Sequence, residues 1–78
     1  MRVEILTPEK NVFEGEADSV SLPGVDGSLG ILNKHAALIT NLQKGTVRLK
    51  ETGGTEHKFE VQGGTVEVLN NKVIILAE

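Results

Sequence analysis

The chain has 78 residues, no cysteine, tryptophan or tyrosine, only two phenylalanines, and a formal charge of −3 from 11 acidic and 8 basic residues. That excludes disulfides and thiolate metal sites, and argues against a phosphate-neutralising surface and against the stacking rings that single-stranded nucleic acid wants. One small domain is expected over residues 1–78, with a core of Val, Ile and Leu. A domain this size buries only roughly 60% of the surface its unfolded chain exposes.

In chain order, period-two alternation dominates. Val3 and Ile5 alternate with Arg2 and Glu4, and Val20 and Leu22 with Ser19 and Ser21. Successive strand side chains point to opposite faces, so each pattern predicts a strand with one buried face. Pro8 and Pro23 fall at strand exits, where a missing N–H does little harm. Gly24 to Gly30 reads as a projecting glycine-rich turn, a common kind of contact site. Its glycines fall every third residue, which is neither the Gly-x-Gly-x-x-Gly nucleotide spacing nor a phosphate loop. Asp26 alone cannot form a calcium loop.

Asn33 to Leu42 fits either a short helix capped by Asn33 or a strand, and the β-branched pair Ile39-Thr40 favours the strand. Val47 and Leu49 alternate with Arg48 and Lys50, and Phe59 and Val61 with Lys58, Glu60 and Gln62. Gly53-Gly54 between them suits a hairpin. The basic residues are scattered; the closest grouping, Arg48 and Lys50, reads as one solvated strand face. Gly63-Gly64 predicts a bulge or bend before Val66 and Val68, and Asn70-Asn71 a turn of left-handed residues. Val73 to Ala77 is apolar on both sides, as is most of His35 to Leu42. Such strands need a central position or a covering partner. Many short strands with glycine turns predict an all-β sandwich or closed barrel.

No catalytic constellation emerges. There is no Gly-x-Ser-x-Gly elbow, and His35 and His57 lack zinc spacing. His57, alternating with Phe59, is expected at the edge of the core. Asp18 and Asp26 are expected in different turns, and Glu14 and Glu16 flank a glycine. The longest apolar run, Val73 to Ala77, is far short of the ~20 residues of a spanning helix. The first residues lack the apolar run of a signal peptide. The expectation is therefore a non-catalytic domain, without cofactor or metal, that acts by binding proteins where it is made.

Three stretches together resemble the epsilon-subunit family of the rotary proton-translocating ATP synthase. They are Ile5 to Lys10 with Val12 to Gly15; Leu22 to Leu32 running into His35 to Thr40; and Phe59 to Val68 ending in Val73 to Glu78. The resemblance implies a ten-stranded β-sandwich or flattened barrel of two antiparallel sheets. It implies a central-stalk subunit, one copy per complex, coupling c-ring rotation to the gamma subunit. Its place would be peripheral, on the cytoplasmic face of the bacterial plasma membrane. Asp26, Gly27 and Ser28 match the loop that rests on the c-ring; Thr7, His35, Ala36, Leu38 and Thr40 match the face toward gamma.

Two departures stand out. Many members read Gly-His-Ala-Pro-Leu where this chain has Lys34-His35-Ala36-Ala37-Leu38. The family usually continues into a two-helix C-terminal hairpin that binds ATP or brakes rotation, whereas this sequence stops at Glu78. The rival reading is a lipoyl- or biotinyl-type carrier, with Lys34 or Lys72 as the modified residue. Neither lysine has the Met-Met or Asp-Ala flanks that such domains carry.

Overall fold

A computed structural model describes residues 1–78 and contains eight strands and no helix. In chain order they are β1 (Arg2–Leu6), β2 (Asn11–Gly24), β3 (Gly27–Leu32), β4 (Leu38–Leu42), β5 (Gly45–Glu51), β6 (Glu56–Val61), β7 (Gly64–Leu69) and β8 (Lys72–Ala77). The ladder runs β1-β8-β7-β4-β2-β5-β6, β3 pairs with β2, and β1 also pairs with β2, so the sheet closes into a flattened barrel.

Two features depart from the sequence expectation. There are eight strands where ten were expected, and β1 and β8 pair in parallel rather than antiparallel. Much of the first difference lies in β2. It is 14 residues long and passes from β1 to β5 with a register shift between Ala17 and Ser19 instead of a turn. Asp18 therefore lies inside a strand, not in a turn. The parallel pair arises because the first and last strands run side by side with no hairpin between them.

The alternation works as physical chemistry requires. Val3, Ile5, Val66, Val68, Val73 and Ile75 point inward from one layer; Val20, Leu22, Ile31, Val47 and Leu49 point inward from the other. They form a single cluster of 16 buried residues, with no polar or charged side chain among the buried ones. Fully burying such a side chain contributes about 1.5–3 kcal/mol, and no disulfide or polar network adds to this core.

The turns follow their residue types. Asn70 and Asn71 both take positive φ (50° and 61°), the left-handed pair that a two-residue hairpin demands. Thr52 to Thr55 joins β5 to β6 with Gly53 and Gly54 at positive φ. Gly64, within the predicted bend, has φ 137°, and a Cβ there would sit 2.1 Å from the Leu76 carbonyl oxygen. Only glycine lets β7 approach β8 this closely.

His57 lies at the edge of the core as expected. Its ring stacks on Phe59 at 6.0 Å and lies 5.3 Å from Phe13. Its Nε2 is 2.6 Å from a Glu51 carboxylate oxygen.

Candidate interaction site

The glycine-rich segment is mostly strand. Only Val25 and Asp26 form the turn; Gly24 pairs with Gly27, and β3 begins at once. The positive φ of the hairpin (122°) falls on Gly27, which a side chain would strain. Two hydrogen bonds tie the base of the turn to the end of β4: Val25 N–H donates to Asn41 O (3.1 Å) and Gln43 N–H to Pro23 O (2.8 Å). Val25, Asp26, Gly27 and Ser28 remain exposed at its tip. The turn is thus a stiff projection.

The ambiguous segment resolves into two parts. Lys34, with positive φ, sits in a turn; its N–H donates to Asn71 Oδ1 at 2.7 Å. His35, Ala36 and Ala37 are exposed and irregular, and Leu38 to Leu42 is strand β4. His35 Nδ1 lies 2.8 Å from its neighbour's carbonyl oxygen, Ala36 O.

Leu38 and Thr40, half-buried on β4, line a shallow cleft of about 210 Å³ together with Asp26, Gly27 and Ser28. Residues that the resemblance assigned to two different partners therefore share one end of the barrel. Thr7 is elsewhere. Its N–H (2.9 Å) and hydroxyl (3.2 Å) engage Lys10 O, closing the turn after β1. It also lines a separate depression beside Leu6, Thr65 and Leu76.

Strand register shows what lies between Thr7 and His35. Across β1, β8, β7 and β4 the rows on the outer face read Leu6, Leu76, Thr65, Asn41 and then Glu4, Ile74, Glu67, Ile39. Thr7 follows one row at one corner and His35 precedes β4 at the diagonal corner. Three inter-strand steps separate the edge strands, roughly 14 Å.

This outer face is rich in exposed apolar surface. Ile39 is 75% exposed, Leu69 52% and Leu76 50%. Ala37, Ile39 and Leu69 line a groove of about 350 Å³. Charged residues flank the patch, including a Lys72–Glu4 ion pair at 3.1 Å and an Arg2–Glu14 pair. The doubly apolar strands were the sequence signal for Ile39 and Leu76. Leu69, beside the Asn70-Asn71 turn, had no such signal.

Lys72 is held by Glu4, Lys34 lies in an irregular turn, and no three His, Asp or Glu side chains converge as a metal site would require.

The sequence profile of the family described as ATP synthase, Delta/Epsilon chain, beta-sandwich domain matches residues 1–78. The chain belongs to that family. The ATP synthase epsilon chain of Desulforamulus reducens is 49% identical over 77 residues, covering 99% of this chain and 58% of that protein. The epsilon chain of Chlorobium limicola is 43% identical over 77 residues, covering 99% of this chain and 88% of its own length. This chain thus spans between a little over half and most of the length of its epsilon-chain relatives.

Among solved structures, a chain in the central stalk/c-ring of the Tetrahymena thermophila mitochondrial ATP synthase superposes with a TM-score of 0.81. It shares 27% identity and covers 99% of this chain and 62% of its own. A chain of the Euglena gracilis mitochondrial ATP synthase (OSCP/F1/c-ring) shares the fold with a TM-score of 0.89 at 18% identity, covering 96% of this chain and 48% of its own. The delta/epsilon fold is thus present across the described residues.

Proposed function

We propose that this chain is a rotor element of an ATP synthase, transmitting c-ring rotation to the gamma subunit. The match of all 78 residues to the delta/epsilon β-sandwich family carries the reading. The geometry supports it with two surfaces on one stiff body. The apolar outer face bearing Ile39, Leu69 and Leu76, with Thr7 and His35 at its corners, is the gamma-facing surface. The Asp26-Gly27-Ser28 projection is the c-ring contact. Leu38 and Thr40, in the cleft beside that projection, lie where the two contacts meet, and Ala36 lies next to His35 on the gamma side.

Torque transfer requires a body that does not shear. Interiors packed at crystal-like density resist deformation, and the ring of strands closes through the β1–β2 ladder and the Gly24–Leu42 bridge of β2 to β4. On this reading residues 1–78 act as one unit, in one copy, peripheral to the cytoplasmic face of a bacterial plasma membrane. Catalysis of ATP formation then belongs to other subunits. The test is reconstitution of the native host's synthase into proteoliposomes with and without this chain. Proton-driven ATP synthesis is expected to fall when it is omitted; undiminished synthesis overturns the role.

A further inference from the structure

If gamma and the c-ring dock as proposed above, the opposite face of the barrel is left as a second surface. Register across β3, β2, β5 and β6 gives two outward rows. One reads Leu32, Ser19, Lys50, Glu56, the other Gly30, Ser21, Arg48, Lys58. Ser19, Ser21 and Gly30 form the floor of a trough of about 300 Å³, with Leu32, 63% exposed, as one wall and Arg48 and Lys50 as the other, and with Glu56 lining it beyond Lys50.

The charges here are unspent. The four ion pairs of the molecule involve Met1, Arg2, His57 and Lys72, so Arg48, Lys50 and Lys58 have none. Ser19 and Ser21 make no side-chain hydrogen bonds either. Arg48 lies directly across from Lys58, an arrangement that destabilises an isolated sheet. This happens on a chain where acidic residues outnumber basic ones, 11 to 8.

We propose that this trough binds an extended acidic segment of a partner protein, with carboxylates at alternate positions. Arg48 and Lys50 are two residues apart on one strand face, so their side chains emerge roughly 7 Å apart. An extended segment presents its own alternate side chains at the same spacing. The small floor residues admit its backbone, and Leu32 offers an apolar contact along the far wall. A narrow segment also fits better than an anionic bilayer. Glu56 and Glu60 flank Lys58 on the same outer face, and a broad anionic surface would meet both of those carboxylates. A segment lying along β2 meets Arg48 and Lys50 before Glu56, which is one strand further away on β6, and does not reach Glu60.

The experiment is an NMR titration of the ¹⁵N-labelled chain with a capped peptide alternating Glu and Thr, beside its Gln-for-Glu counterpart. Amide shifts are expected at Ser19, Ser21, Gly30, Leu32, Arg48 and Lys50 with the Glu peptide only, shrinking as salt rises from about 20 to about 200 mM. Arg48→Gln and Lys50→Gln, both at exposed positions, are each expected to weaken binding roughly two- to fivefold. Lys44→Gln, away from the trough, is expected to leave it unchanged. Four results overturn the proposal: no shifts, shifts scattered over the surface, equal binding of the Gln peptide, or the same shifts from inorganic phosphate at equal concentration. Co-sedimentation with phosphatidylglycerol vesicles that Arg48→Gln abolishes also overturns it, assigning the face to lipid.

Discussion

Ile39→Asp separates a docking residue from a folding residue. Ile39 is 75% exposed in the free chain, so a partner that covers it removes about three quarters of its apolar surface from water. Full burial of isoleucine contributes about 1.5–3 kcal/mol, which leaves about 1–2 kcal/mol for the contact. Asp forfeits that gain and places a carboxylate beneath the partner without a hydrogen-bond donor. The combined loss is at least about 2 kcal/mol, or roughly 30-fold in affinity for the gamma subunit. The assay is isothermal titration of gamma with the wild-type and variant chains, alongside their thermal unfolding. The melting temperature is expected to hold, since the position is solvated in the free chain. Leu32→Asp, exposed on the opposite layer, serves as the control and is expected to bind gamma normally. Unchanged affinity of Ile39→Asp, or an equal loss in Leu32→Asp, would refute the placement of gamma on this face.

Further outcomes follow from the packing. Gly64→Ala forces a Cβ toward Leu76 O at 2.1 Å with φ at 137°, and is expected to cost about 2–5 kcal/mol in denaturant unfolding. Gly30→Ala, with open space at its Cβ, is expected to stay within about 0.5 kcal/mol. Ile75→Ala empties a fully buried site in β8 and is expected to cost about 2–5 kcal/mol. Leu76→Ala on the same strand, half exposed, is expected to cost much less, with both read from urea midpoints. Asn71→Ala removes the acceptor for Lys34 N–H and puts a side chain poorly suited to left-handed backbone at φ 61°. It is expected to cost about 1–2 kcal/mol, and Asn71→Gly is expected to recover the backbone part of that loss.

Legibility in the sequence tracked alternation. Residues 2–5, 19–22, 47–50, 58–61 and 65–68 alternate between apolar and polar, and each lies in a strand with the expected face inward. Asn11 to Asp18 did not announce itself, because Glu14, Gly15 and Glu16 interrupt any apolar period. Its half-buried Val12 and Phe13 pack on the rim of the core rather than in it. Gly27 to Gly30, the first part of β3, reads as part of a projecting turn for a similar reason. Two glycines and a serine mask a strand whose one fully buried side chain is Ile31.

The candidate surfaces were half legible. Runs apolar on both sides pointed to Ile39 and Leu76 as outward-facing. No linear pattern could place Thr7 and His35 at opposite corners of one face, or bring Asp26 beside Thr40. The first depends on β4 pairing with β7 across 28 residues of sequence, Ile39 to Glu67, and the second on the Gly24–Leu42 bridge between β2 and β4. Arg48 and Lys50 read as an ordinary solvated strand face. Only the cross-strand register sets Lys58 beside Arg48 and two serines beneath them.

The most direct test is a cryo-electron microscopy structure of the native host's assembled synthase. Ile39, Leu69 and Leu76 are expected to be covered by gamma, and the Asp26-Gly27-Ser28 turn to rest against the c-ring. Finding that face open to solvent, or that turn pointing away from the ring, would contradict this placement.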